Sequence, residues 1–126
     1  MYNKKIMEIL QSLKNVGLLR GANAIGKAES KQSRDTIKFY FLVEEGNILN
    51  VSFKAFGGAY LIAMCSVVCD VLKGMSIEDI IHLDMDVIKQ EIGDYPEQKE
   101  YYESLINIAL VDALEDYNKK LLKAKK

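Results

Sequence analysis

The run from Asn50 to Gly74, NVSFKAFGGAYLIAMCSVVCDVLKG, constrains the fold more than any other segment, because it joins a strand, a glycine pair and a nearly all-apolar helix without interruption. Asn50 to Phe56 alternates, with Val51, Phe53 and Ala55 on one side, the pattern of a half-buried strand. Gly57 and Gly58 follow, and glycine lets a chain reverse through backbone conformations closed to other residues. Between Ala59 and Leu72 only Ser66 and Asp70 are clearly polar, so the helix predicted there is covered on nearly every side. It is the core helix.

The flanking segments read as shorter elements. A helix is predicted over Lys4 to Lys14. Asn15 to Arg34, holding Gly17, Gly21 and Gly26 with little apolar content, reads as a mobile polar loop. A hairpin follows, with strands Thr36 to Val43 and Asn47 to Phe56 joined through Glu44, Glu45 and Gly46, the glycine supplying positive φ. Ser76 with Asp79 has the form of a capping box opening a helix that ends near His82. A short helix over Asp86 to Ile92 is stopped by Gly93. Pro96 begins the last helix, which carries Leu105, Ile108, Ala109, Leu114 and Leu121 at helical spacing and ends in a lysine-rich tail.

Composition narrows the class. With 126 residues, 49% of them hydrophobic, the chain is read as one globular domain, 1–126. Seventeen basic residues against eighteen acidic ones give no overall attraction to nucleic acid. The segment MYNKKIMEIL lacks the apolar centre of a signal peptide, and no apolar run has the length of a spanning helix, so the cytoplasm is the expected compartment. There the two cysteines are expected to be free thiols.

Several motifs together resemble the iron-sulfur cluster scaffold family, the NifU N-terminal or IscU-like domain. The family's FKTFGCGxAIAxSSxxTEWVKG is similar to FKAFGGAYLIAMCSVVCDVLKG, with matches at Phe53, Lys54, Phe56, Gly57, Ile62, Ala63, Ser66, Lys73 and Gly74. Its opening YSEKVxDHFxNPRNVG resembles Tyr2 to Gly17, with Tyr2, Lys5, Asn15, Val16 and Gly17 in step. Its GNPxCGDxMKIYLKV resembles Ser30 to Val43, which keeps Asp35, Lys38, Tyr40 and Val43. KGKTxEEALxI resembles Lys73 to Leu83, and LPPVKxHCSxLAxxAIxxAIxDY resembles Tyr95 to Tyr117, keeping Pro96, Lys99, Leu105, Ala109, Ala113, Asp116 and Tyr117. The resemblance implies an α+β fold, a small antiparallel β-sheet with helices packed on one face.

It also implies a site, and that site is altered. The family holds a two-iron cluster, or zinc, through three thiolates helped by an aspartate or histidine, since soft thiolates suit both. Ser33, Gly58 and Tyr102 stand at the three cysteine positions, Tyr101 at the histidine position, and Asp35 is retained. One carboxylate and neutral hydroxyls do not replace three thiolates, so no resident metal or cluster is expected. Tyr102 reads as a plug for the vacated space, in an aromatic patch with Tyr95 and Tyr101. Cys65 and Cys69, four apart, share a helix face with Leu61 and Leu72 and read as apolar packing, with a displaced thiol pair for metal or persulfide as the alternative. His82, the only histidine, reads as a surface residue.

The function implied is a non-enzymatic, scaffold-like protein of iron-sulfur cluster assembly with a degenerate site, docking to a cysteine desulfurase or another assembly protein in an auxiliary or regulatory role. Pro96, Lys99 and Tyr101 are the expected partner contacts, although the family's LPPVK, a chaperone motif, has become YPEQK. The alternatives are an active scaffold whose iron or zinc site is rearranged around Asp35, Ser33, Cys65 or Cys69, and a binding module repurposed outside cluster assembly. No nucleic acid or membrane partner is expected, and the chain is expected to be a monomer or weak homodimer.

Overall fold

The structure, a computed structural model, describes residues 3–93 and 99–124. Tyr95 and Pro96 lie outside them, as does the Lys99 side chain. The described elements run α1 (Lys4–Gln11), β1 (Ala24–Glu29), β2 (Thr36–Glu44), β3 (Asn47–Phe56), α2 (Ala59–Leu72), a 3-10 helix (Ile77–His82), α3 (Met85–Ile92) and α4 (Lys99–Ala124). The strands form one antiparallel sheet in the order β1-β2-β3. Register puts Ala24, Gly26 and Ala28 beside Phe41, Phe39 and Ile37, and these beside Val51, Phe53 and Ala55, on one face. That face is the core: α4 lies over β1 and β2, and α2 over β3.

The apolar run behaves as its composition requires. In α2, Leu61, Met64, Cys65, Val68, Cys69 and Leu72 are fully buried, and even Ser66 is covered. Ser66 donates its hydroxyl to the Lys14 carbonyl at 2.9 Å, so the one polar group in the middle of the helix is satisfied. The hairpin turn is Glu45 and Gly46, with φ of 52° and 81°. Positive φ at both central residues matches the twist of the strands it joins.

Four expectations are corrected. First, the segment Asn15 to Arg34 is not a mobile loop: it contains β1. The strand escapes notice because its inward residues are Ala24, Gly26 and Ala28, small side chains without the apolar mass that marks a strand. They are small because α4 lies almost on the backbone. A Cβ placed on Gly26 would stand 2.0 Å from the Ala109 carbonyl oxygen and 2.5 Å from the Ala113 nitrogen. This close seating also closes the open edge of β1. The Ile25 amide donates to the Asp116 carboxylate at 2.8 Å and the Lys27 amide to the Asp112 carboxylate at 2.9 Å. Four residues of helix rise about 6 Å and two residues of strand nearly 7 Å, so an aspartate pair one turn apart matches successive outward amides. Burial opposes the charge on Asp116, but Lys120 and the Ile25 amide outweigh it and lower its pKa.

Second, α1 stops at Gln11 rather than Lys14. The chain is drawn out to pair with β3: Phe53 donates to the Asn15 carbonyl and receives the Gly17 amide, each at 2.8 Å. Asn15 takes φ of 71° there. Its side chain reaches back to α2, donating to Ser66 O and to the Asp70 carboxylate at 3.0 Å.

Third, Ser76 precedes a 3-10 helix, and its side chain makes no capping bond. The Ile77 amide instead donates to Gly46 O at 2.8 Å, fastening this turn to the hairpin. Fourth, in α4 the buried row is Leu105, Ile106, Ala109, Leu110 and Ala113, while Ile108 and Leu121 of the predicted stripe are exposed.

Candidate functional site

The loop between β1 and β2 is a tight turn. Ser30 N donates to Asp35 O at 2.9 Å, and Arg34 N to Ser30 O at 2.8 Å, with Arg34 at φ 64°. This geometry fixes Ser33 and Asp35 side by side, and the Ser33 hydroxyl donates to Asp35 Oδ2 at 2.9 Å. Asp35 Oδ2 also accepts the Tyr101 hydroxyl, from the first described turn of α4, at 2.6 Å. The Ser33 and Tyr101 hydroxyls, each giving its one proton to Asp35, lie against each other. One serine, one aspartate and one tyrosine thus form a closed triangle of oxygen atoms.

The glycine pair borders it. Neither Gly57 nor Gly58 has positive φ, so the expectation that they permit an unusual backbone conformation is corrected. Gly57 instead leaves room for its neighbours, since a Cβ there would be 2.7 Å from both Asp35 Oδ1 and Leu61 Cδ2 and one of those side chains would have to shift. Gly58 caps α2 with φ of −73°, an ordinary conformation for any residue. A Cβ at Gly58 would meet only the Tyr102 hydroxyl, at 3.9 Å. The Tyr101 and Tyr102 rings are tilted against each other with centroids 5.3 Å apart.

Of the positions read from sequence as former ligands, Ser33 joins Asp35, and Gly58 faces Tyr102. What the sequence missed is the hydrogen bond that Tyr101 makes here. Tyr101, expected as a partner contact, is the residue bonded to Asp35. Successive helix residues point about 100° apart, so only the docked helix could decide which tyrosine turns toward Asp35. Sixty-six residues separate Tyr101 from Asp35, and no local signal spans that distance.

Cys65 and Cys69 lie deeper in α2, both completely buried. Burial pushes both thiols up from the ordinary range, with Cys69 beside it adding to the shift at Cys65 and Lys73 opposing it at Cys69. Thiols held protonated are poor nucleophiles and poor ligands. A thiol reagent is expected to label both slowly in the native protein and quickly in denaturant. Fast native labelling of both would mean an accessible thiol site. Cys65→Ala is expected to cost on the order of 1 kcal/mol through lost packing.

Among the described residues no three or more His, Cys, Asp or Glu side chains cluster as a metal site would need. His82 is exposed. No helix among them is long and apolar enough to cross a membrane.

Comparison with known proteins agrees with the fold. Two iron-sulfur cluster assembly scaffold proteins of Archaeoglobus fulgidus are each 30% identical over 120 residues, covering 95% of this chain and 78% of theirs. The iron-sulfur cluster assembly scaffold protein IscU of Aquifex aeolicus is 32% identical over 118 residues, covering 92% of this chain and 75% of its own. A nitrogen-fixing NifU-like protein (N-terminal) from Brucella abortus, 20% identical, superposes with a TM-score of 0.68 over 94% of both chains. Residues 1–124 match the NifU-like N-terminal domain model, and the chain belongs to that family.

Proposed function

We propose that this protein serves iron-sulfur cluster assembly in an auxiliary or regulatory role, docking to a cysteine desulfurase or another assembly protein in the cytoplasm, and that it neither builds nor carries a cluster and is not an enzyme. The family membership and the relatives' names support the pathway. The observation that carries the degenerate role is the Ser33–Asp35–Tyr101 triangle, which sits at the positions that resemble the family's ligand set. These are hard oxygen donors, two of them neutral, and they do not fit the soft thiolate chemistry of a cluster or a structural zinc. Their hydrogen bonds are spent on one another, so binding a metal would first require breaking them.

Anaerobic incubation of the purified chain with ferrous iron and sulfide, followed by desalting, is expected to leave it colourless, with iron and zinc far below one per chain. A stoichiometric cluster that survives desalting would overturn the degenerate reading. Titration with a cysteine desulfurase from the same organism tests docking separately, and absence of binding there would move the role to another partner.

A further inference from the structure

The outer face of the sheet carries a feature that the pathway reading does not use. Register places Lys27, Lys38 and Lys54 directly opposite one another on adjacent strands, in one row across all three. Neighbouring strands lie about 4.8 Å apart, and like charges facing each other across a ladder destabilise it. None of the three has a carboxylate ion-pair partner among the described residues, whereas Lys14, Lys73 and Lys120 do. Lys38 Nζ lies over the Tyr40 ring, 5.4 Å from its centroid. In a chain with net charge −1 this is a local concentration, not a reflection of overall basicity.

Beside the row, Thr36 pairs with Phe56, a residue 73% exposed. The lysines, Thr36 and Phe56 line a depression of about 500 Å³. Thr36 and Phe56 are the chain neighbours of Asp35 and Gly57, so the depression runs up to the edge of the candidate site. Glu29 also borders it, opposite Thr36 in the row beside the lysines rather than in the lysine row itself, and the lining includes no Arg, Asn or Gln to read a base. Carboxylates one helical turn apart are about 5–6 Å from each other, close to the spacing between strands. We propose that this face docks an acidic amphipathic helix of a partner protein, laid across the strands with glutamate or aspartate on the lysine row and an apolar side chain on Phe56. The inference stands whether or not that partner belongs to cluster assembly.

The probes are a fluorescein-labelled peptide with glutamates on one helical face and leucine beside them, a scrambled peptide of the same composition, and oligo(dT) of similar length. Anisotropy with the whole chain at low salt is expected to show the helical peptide binding about tenfold more tightly than the scrambled one. The triple variant Lys27→Gln, Lys38→Gln, Lys54→Gln is expected to weaken it at least about tenfold, and Phe56→Ser severalfold. That same triple variant is expected to melt at the same temperature as the parent or higher, because it removes like-charge pairs, which a purely structural row would not allow. Four results would each overturn the proposal: no peptide binding, equal binding of the scrambled peptide, insensitivity to the lysine variant, or tighter binding of oligo(dT) through the same lysines.

Discussion

Replacing Ser33, Gly58 and Tyr102 together by cysteine is expected to raise zinc affinity by on the order of a thousandfold or more, because each thiolate adds a strong ligand to a tetrahedral site. The frame for this is present. Gly58 has an ordinary backbone conformation, so a cysteine there is unstrained, and its Cβ would open toward position 102. Ser33 is already beside Asp35, which would supply the fourth ligand. The obstacle is Tyr101, whose hydroxyl holds the Asp35 carboxylate. Adding Tyr101→Phe to the triple variant frees that oxygen and is expected to strengthen binding further. Competition against a chromophoric chelator measures the affinity. Zinc at a thousandfold excess over its dissociation constant would stabilise the fold by about 4 kcal/mol, raising the melting temperature by roughly 10–20 °C. A folded variant that binds zinc no better than the parent would show that the side chains at these three positions do not meet.

The second large effect is expected at Gly26. Gly26→Ala puts a methyl group where the Ala109 carbonyl and Ala113 backbone already are, so α4 has to move away from β1. The shift strains the two aspartate bonds that close the β1 edge and loosens the packing of Ala24 and Ala28. Overpacking alone costs about 1–3 kcal/mol and the weakened edge bonds add to it, so a loss of roughly 3–5 kcal/mol is expected, a large part of a typical domain's stability. Gly58→Ser is the control. Serine is a preferred helix N-cap and nothing obstructs it, so that change is expected to be neutral or stabilising by up to about 1 kcal/mol. Denaturant midpoints measure both. A cost below about 1 kcal/mol for Gly26→Ala would mean that α4 does not sit over β1 as described.

Both effects turn on glycines, and their roles separate what was legible from what was not. The sequence marks Gly26 as loop punctuation and Gly57 and Gly58 as conformational hinges. In the structure Gly26 and Gly57 are absences of volume, one under α4 and one under Asp35 and Leu61. Sequence patterns report φ preferences and periodicity, both local, whereas the volume available to a Cβ depends on which distant element lands there.

The sequence by itself determined α2, β2, β3, the Glu45–Gly46 turn and α3, because each is written in a continuous stretch whose periodicity, apolar content or turn residue needs nothing from elsewhere. Its resemblance to the scaffold family also singled out Ser33, Gly58 and Tyr102, three positions that carry no thiol. Only the tertiary structure decided that Ala24–Glu29 is a strand, since its small inward residues make sense only beneath α4. The same docking decided that the Tyr101 hydroxyl closes on Asp35, and strand register set Lys27, Lys38 and Lys54 in one row. Strand register and helix rotation are set by how the elements pack, and they convert residues scattered along the chain into neighbours.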